Sequence, residues 1–361
     1  SLVKLASNAM NMVKSIPVDE YCGLADKEML YDGNLDLNLV DNYIPENNNL
    51  LDNSIEAEES ALNIKGITNS EGASSSYSKN KFYLATSEGF YNTSEKTNYS
   101  TGISVIAGKG IKMERDYEYQ SKVHHSDLDT PMQIGEKAAE RAISRLNPKK
   151  VKSNSVPIIF DPRVSGSLLS LFIGSISGQA IARGTSFLKD KINKEIFKNT
   201  IQIIDEPHIQ KGARSRTFDG EGVATKKISL IEDGKLKSWL LDSQYARQLN
   251  LKTTGHYSGV SNLYMSPGKT SNEELLGSIE EGFYITEMLG MSFSQVTGDY
   301  SRGASGFWIE KGQKVYPVSE VTIAGNILDM YKMLTPASDL KMITGIDAPT
   351  LMIDKMIVAG L

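Results

Sequence analysis

The longest stretch of the chain without a charged residue runs between Arg163 and Arg183. Within it Leu168, Phe172, Ile176 and Ala180 recur at helical spacing with Leu169 and Ile173 beside them. The opposite side is small and hydroxylated, through Ser167, Ser170, Gly174, Ser177 and Gly178. This pattern predicts one buried helix across Asp161–Leu188, with one face in a core and the other against a backbone or a neighbouring subunit. Its serine, glycine and glutamine content rules out a bilayer span. Further helices are predicted at Leu51–Ile64, with Asp52 or Asn53 as cap and Ile55, Ala61 and Leu62 inward, and after the Thr130-Pro131 start signal, with Ile134, Ala138, Ala142 and Leu146 as its stripe. Leu2, Leu5, Ala9, Met12 and Val13 form an amphipathic pattern stopping before Pro17, as at the end of a longer element.

Between Gly66 and Gln120 the pattern changes to short segments, Lys81–Thr86, Thr101–Ala107 and Ile111–Gln120, set between Ser, Gly and Asn, which predicts an antiparallel meander. Val156–Phe160 reads as a strand feeding the charge-free helix. Beyond Phe197 the signals are mostly β, with hairpins at Asp233-Gly234 and Lys311-Gly312, short helices near Ser243–Asn250 and Ser271–Glu281, and a buried terminal strand over Leu351–Gly360. The linker-like run Asn147–Ser155 divides the chain. The expected architecture is α+β: a mixed N-terminal domain over 1–150, with antiparallel strands, and a barrel-like or sandwich-like β-rich domain over 151–361.

Composition narrows the function. Residues 1–60 hold 12 acidic and 3 basic side chains, and the chain as a whole carries −5. No basic stripe with interleaved aromatics points to nucleic acid. Cys22 stands alone, which excludes an internal disulfide framework and a multi-cysteine metal site. Without a recognisable leader or anchor, a cytoplasmic protein is expected.

Four histidines supply all the imidazole. His124-His125 with Asp127 and Asp129 has the composition of a ligand cluster, but neighbours in an extended segment face opposite ways. His208 follows Asp205, Glu206 and Pro207 in a turn. His256 lies in a glycine-flanked loop without nearby carboxylates. Asp219 and Glu221, buffered by Gly220 and Gly222, could meet a cation only with further ligands. The letters of a serine elbow at Gly174–Gly178 sit inside a predicted helix, where a strained turn cannot form. The densest feature is a loop-like run from Val296 to Glu310, in which Asp299, Tyr300 and Arg302 could line a cleft and Arg302 could grip a carboxylate.

That run, VTGDYSRGASGFWIEKGQKVYPVSEVTIAGN, resembles the C-terminal signature of the TldD/PmbA family, the modulators of DNA gyrase. RTFDGEGVATKK, LIEDGKLKSWLLDSQYARQL, KTTGH, NLYMSPG, GITNSEGASSSYS and MERDYEYQS continue the likeness, which covers nearly the whole chain from Pro17 and points to the PmbA (TldE) branch. The resemblance implies two domains around a cleft that handles peptides and unfolded segments. The TldD branch looks like a zinc metallopeptidase with His-Glu-x-x-x-His on the helix after the first strand of the second domain, plus a later cysteine. Aligned on Gly166, Leu168, Leu169 and Gly174, the histidine positions fall on Ser170 and Ser175 and the glutamate position on Leu171. A hydroxyl is a poor zinc ligand and leucine no general base. The implied role is therefore a subunit that binds no cofactor and is inactive alone, with zinc in a TldD-like partner and His256, Asp299, Tyr300 and Arg302 as candidate substrate contacts. A homodimer is a further possibility, and no membrane or nucleic-acid partner is implied. Two alternatives stand beside it: a self-sufficient peptidase with a metal site using His256 or Asp219, and a regulator acting on gyrase or a toxin–antitoxin system.

Overall fold

The computed structural model describes residues 1–360, the side chain of Met291 excepted; Leu361, at the end of the expected second domain, lies outside the described residues. Helix α1 (Leu2–Lys14) forms where the amphipathic pattern predicts, and none of its residues is buried. Helix α2 (Asn47–Leu62) starts a full turn earlier than expected, because Glu46 and Asn49 exchange side-chain bonds with each other's backbone in a capping box. Of the three residues expected inward on α2, Ala61 is buried, while Ile55 and Leu62 are exposed. Small residues are selected there because Gly135 brings the next helix against Ala57, so closely that a Cβ would collide with the Ala57 carbonyl.

Strands β1 (Ile67–Ala85), β2 (Tyr91–Ala107) and β3 (Glu114–Lys122) form an antiparallel sheet in that order. Two of them are far longer than the predicted segments. The serines read as punctuation stay in the ladder and pair across it, Ser75 with Thr101 (3.0 Å) and Ser76 with Ser100 (2.7 Å). Helix α3 (Pro131–Ser144) carries the predicted Thr130 cap, which accepts from the Gln133 N–H. It lays Ile134, Ala138 and Ala142 on Ile103, Val105 and Ala107 of β2.

Strand β4 (Asn154–Phe160) leads into α4 (Pro162–Ser175) and α5 (Gly178–Ala182). The single helix expected over Asp161–Leu188 is thus two. Its break falls at Ile176–Ser177, where the Gly178 N–H donates to the Leu240 carbonyl (2.8 Å) and Ser177 caps α5. Gly178 lies so near Tyr245 that a side chain would not fit. The apolar line survives the break, since Leu168, Phe172, Ile176 and Ala180 are all buried.

The remaining elements are β5 (Ile203–Glu206), β6 (Ile228–Glu232), β7 (Lys235–Leu236), α6 (Ser243–Gln248), β8 (Asn262–Met265), α7 (Asn272–Gly277), β9 (Glu281–Phe293), β10 (Asp299–Glu310), β11 (Gln313–Asn326), α8 (Ile327–Met333), β12 (Leu334–Pro336), β13 (Ile346–Asp347) and β14 (Leu351–Ala359). The order β11-β10-β9-β4-β14, with β11 also paired to β14, closes a five-stranded barrel extended by β12. A second sheet runs β13-β8-β5-β6-β7. Both predicted hairpin turns have positive φ at each central residue, Asp233 and Gly234, Lys311 and Gly312, the geometry that matches strand twist. The run from Asp299 to Glu310 is not a loop: it is β10, in the barrel wall between β9 and β11. Phe172 of α4 packs edge-on against Phe197 and Tyr331 beside the barrel core. The fold is α+β, and no helix among the described residues is long and apolar enough to cross a membrane.

Candidate functional site

Helix α4 carries both aligned histidine positions, Ser170 in its middle and Ser175 at its last residue. Ser170 is exposed and its hydroxyl donates to the Gly166 carbonyl (3.2 Å). Ser175 is fully buried and donates to the Leu171 carbonyl (2.8 Å), while Leu171 packs against the core. Two hydroxyls, each donating to a carbonyl of the same helix, are poor zinc ligands. Among the described residues no group of three or more His, Cys, Asp or Glu side chains converges.

Successive side chains of β10 face opposite ways, which sets Asp299 apart from Tyr300 and Arg302. Tyr300 points inward, 2% exposed, with its hydroxyl 3.3 Å from Met288 Sδ. Burial pushes its phenol up to about 12, so it stays protonated. Asp299 is exposed and its Oδ2 accepts from the Thr297 hydroxyl (2.6 Å). Arg302 is half-buried and its Nε donates to the Gly290 carbonyl (2.9 Å). Asp299 and Arg302 make no hydrogen bond or ion pair with each other among the described residues. The nearby turn does meet α4, where Gln295 Nε2 donates to the Gly174 carbonyl (2.6 Å).

His256 lies elsewhere and is buried. Its Nε2 donates to Asp205 Oδ2 (3.0 Å), its Nδ1 lies 2.9 Å from Thr254 Oγ1, and the Ser261 N–H donates to the other Asp205 oxygen (2.8 Å). Asp205 therefore serves His256, not the sequence-adjacent His208, which lies 3.3 Å from the Thr225 hydroxyl. Asp219 accepts backbone N–H bonds from Glu221, Val223 and Tyr257 (2.9–3.0 Å), and Glu221 accepts from Ser243, so neither carboxylate is poised for a cation. The His124-His125 group disperses: His124 meets the Asn38 carbonyl, His125 packs on Tyr43 and Tyr99, Asp127 pairs with Lys211 and Asp129 with Lys137.

The most elaborate polar construction joins the β1–β3 sheet to the barrel. Asp116 of β3, 3% exposed, takes Arg163 of α4 on one oxygen (2.6 Å) and Arg145, at the end of α3, on the other (3.4 Å). Arg145 continues to Glu287 of β9 (2.6 Å) and Glu114 (3.6 Å). Burial works against the Arg163 charge, but the bond and charge of Asp116 outweigh it and hold the guanidinium above its usual range. An extended arm adds a strap: the Tyr31 N–H donates to the Gly222 carbonyl, the Lys211 N–H to Leu37 and the Thr97 N–H to Leu39. Between strap, sheet and second unit lies a cavity of about 320 Å³, walled by Asn98, Ser121 and Lys122 on one side and by loops 209–213 and 342–347 on the other. Of its residues only Asp127 was singled out from sequence, and for a different role, since the walls come from widely separated segments.

Lys96 of β2 supports that wall, donating to the Gly212 (3.2 Å) and Ala213 carbonyls. Burial, and then the charge of Arg214, lower its amine to about 8. The unfolded chain holds that proton to about 10.5, so between these values the unfolded state binds more protons and stability from this group rises with pH. Urea unfolding at pH 7 and 10 should show wild type gaining on Lys96→Met as pH increases; a constant gap would contradict the assignment.

Comparison with known proteins places the chain. Residues 46–146 match the PmbA/TldA metallopeptidase central domain, and residues 153–360 match the PmbA/TldA metallopeptidase C-terminal domain. The chain belongs to the PmbA/TldD family. Metalloprotease PmbA of Escherichia coli O157:H7 is 36% identical over 362 residues, covering 100% of this chain and 80% of the relative. A PmbA homolog of Haemophilus influenzae is also 36% identical, covering 98% and 79%. A more distant family member, a TldD homolog of Buchnera aphidicola, is 27% identical over 76% of this chain and 61% of its own length. Among solved structures, a candidate modulator of DNA gyrase from Bacteroides thetaiotaomicron superposes with a TM-score of 0.93 at 30% identity, covering 99% of this chain and 82% of that one. TldE from Thermococcus kodakarensis shares the fold, with a TM-score of 0.83 at 22% identity over 97% and 82%.

Proposed function

We propose that this PmbA/TldD-family chain is the zinc-less subunit of a two-component metallopeptidase, holding peptides or unfolded segments while a TldD-like partner cleaves them. The observation that carries this reading is the state of α4, where Ser170, Leu171 and Ser175 stand at the positions of His-Glu-x-x-x-His and both hydroxyls donate to carbonyls of the same helix. Their chemistry does not suit zinc. Membership of a family that includes TldD-named proteins supports the partner. On this reading the two domains, 1–150 and 151–361, wall the cleft, and Asp299 and Arg302 offer polar contacts to polypeptide at the β9–β10 end. Tyr300 and His256 act as packing and bracing groups.

Co-expression with a TldD-like subunit tests the proposal. The two chains should co-purify, zinc should track the partner, and cleavage of unfolded casein should appear only in the mixture. Stoichiometric zinc on this chain alone, with chelator-sensitive cleavage, would replace the proposal with the self-sufficient peptidase.

A further inference from the structure

The β1–β3 sheet and the barrel-bearing unit are fastened at two ends, and the fastenings differ in kind. At the base of the β1–β2 hairpin the contacts are ionic and shielded. Asp116 and Glu114 of β3 lie opposite Val105 and Ala107 of β2, and there Asp116 holds Arg163 and Arg145 while Arg145 continues to Glu287. Asp116 and Arg145 are 3% and 8% exposed, so parting this end means breaking shielded charge pairs. The covalent crossing is at the same end. The 147–153 segment begins just after Arg145, and the Lys149 N–H donates to the Pro317 carbonyl of β11 (2.8 Å).

The tip of the hairpin is held by contacts that water can replace. Phe218 of the barrel-bearing unit is covered by Phe82 and Phe90, from either side of the hairpin turn, and by Tyr31 of the arm, with ring centroids 6.5, 5.9 and 6.1 Å away. Phe82 is itself 47% exposed. Phe90 also lies on Gly222, where a Cβ would come within 2.7 Å of its ring. The Tyr31 N–H donates to the Gly222 carbonyl, and the Ala224 N–H to the Met29 carbonyl (both 2.9 Å). Lys27 pairs with Glu88 of the hairpin turn (2.8 Å), but the two side chains are 69% and 48% exposed, and such pairs contribute little. Among residues 19–43 as a whole only Ala25 and Leu37 are buried. A segment with so few buried side chains opens far below the cost of global unfolding.

We infer that residues 27–37 of the arm and the hairpin tip form a clasp on the barrel-bearing unit that opens as one piece, with the sheet swinging about the Asp116 network. Tyr31, Phe82 and Phe90 share the Phe218 ring, so arm and hairpin release it together. Beyond Leu37 the arm turns at Asn38, whose φ is 51°, and travels with the sheet, since the Thr97 N–H donates to the Leu39 carbonyl (3.0 Å) and the Asp41 N–H to the Thr97 hydroxyl (2.9 Å). From Tyr91 to Val105 the strand runs for about 45 Å, so a rotation of about 10° at the base carries the tip roughly 8 Å. Opening parts Lys96 from the Gly212 and Ala213 carbonyls at mid-seam and uncovers the cavity beside them. The clasp controls access between the two units and does not depend on which subunit cleaves.

The test places spin-label pairs in a Cys22→Ser background, which removes the single native cysteine. Ser87→Cys with Lys226→Cys reads the tip, and Ser144→Cys with Ser155→Cys reads the base; all four positions are exposed. Adding Tyr31→Ala should raise the share of a longer tip distance at least about threefold, as expected for a lost aromatic contact, and leave the base pair at one distance. Hydrogen exchange of the same variant should speed the Ala224 and Lys211 amides together, also at least about threefold, with Thr97 unchanged because its bond travels with the sheet. Lys27→Gln, at an exposed position, should move both readouts in the same direction by less. An unchanged tip distribution, a base pair that broadens along with the tip, or acceleration confined to Ala224 would each overturn the inference. None of these results bears on co-purification with a TldD-like subunit, so the failure of one proposal is distinguishable from the failure of the other.

Discussion

Asp116→Ala is expected to cost about 3–5 kcal/mol of stability, the loss associated with removing one partner of a buried ion pair. Asp116 is nearly inaccessible and neutralises Arg163 and half of the demand of Arg145. After the substitution Arg145 still has Glu287 and Glu114, but among the described residues the Arg163 guanidinium retains only the Tyr117 carbonyl at 3.4 Å and the Tyr117 ring beneath it. The uncompensated charge therefore falls on the first turn of α4, the helix that also carries Ser170 and Ser175. Urea unfolding reads the total loss. Limited proteolysis in the 147–153 segment should show where it falls, because the sheet and the barrel lose their shared anchor. A change below about 1 kcal/mol would mean that water replaces Asp116 at little cost and that the network is incidental.

Gly306→Ala should be nearly as damaging, at about 3 kcal/mol or more, for a steric reason. Gly306 sits at a register shift in β10, and a Cβ there would lie inside contact distance of the Tyr284 carbonyl oxygen and the Ile285 Cα. Those are backbone atoms of β9, fixed in the barrel wall, so no side chain can rotate away to relieve the clash. Gly303→Ala is the matched control three residues earlier, where the added carbon makes ordinary contact with Leu289 at 3.4 Å. Equal melting temperatures for the two variants would show that the wall yields more readily than close packing predicts.

This glycine also explains why the first part of β10, before Phe307, reads as a loop while Phe307–Glu310 reads as a hairpin strand. Gly303, Gly306 and the serines between Asp299 and Gly306 have low strand preference, and a local scan reads them as loop. What selects them is the close approach of β9, which no scan along one segment contains. The charge-free helix shows the converse. Its apolar line predicted the buried positions correctly, yet the break at Ser177 depends on a hydrogen bond to Leu240 and is invisible in the periodicity. Local signals were dependable where the cause was local: the Thr130 cap, and the two hairpin turns with their positive φ. The pairing of His256 with Asp205 lay beyond reach, since 51 residues separate them. The cavity is an extreme case, because it exists only where the sheet, the arm and two loops of the second unit meet.

The closed barrel has a consequence for how the chain is made. Strand β4 is the first of its staves to leave the ribosome, and β14 is the last. Because β14 fits between β4 and β11, the early staves must wait, with their inner apolar faces uncovered, until residues 351–359 arrive. Cold or slowed translation should therefore leave this protein exposed to chaperones and proteases for longer than its finished stability would suggest.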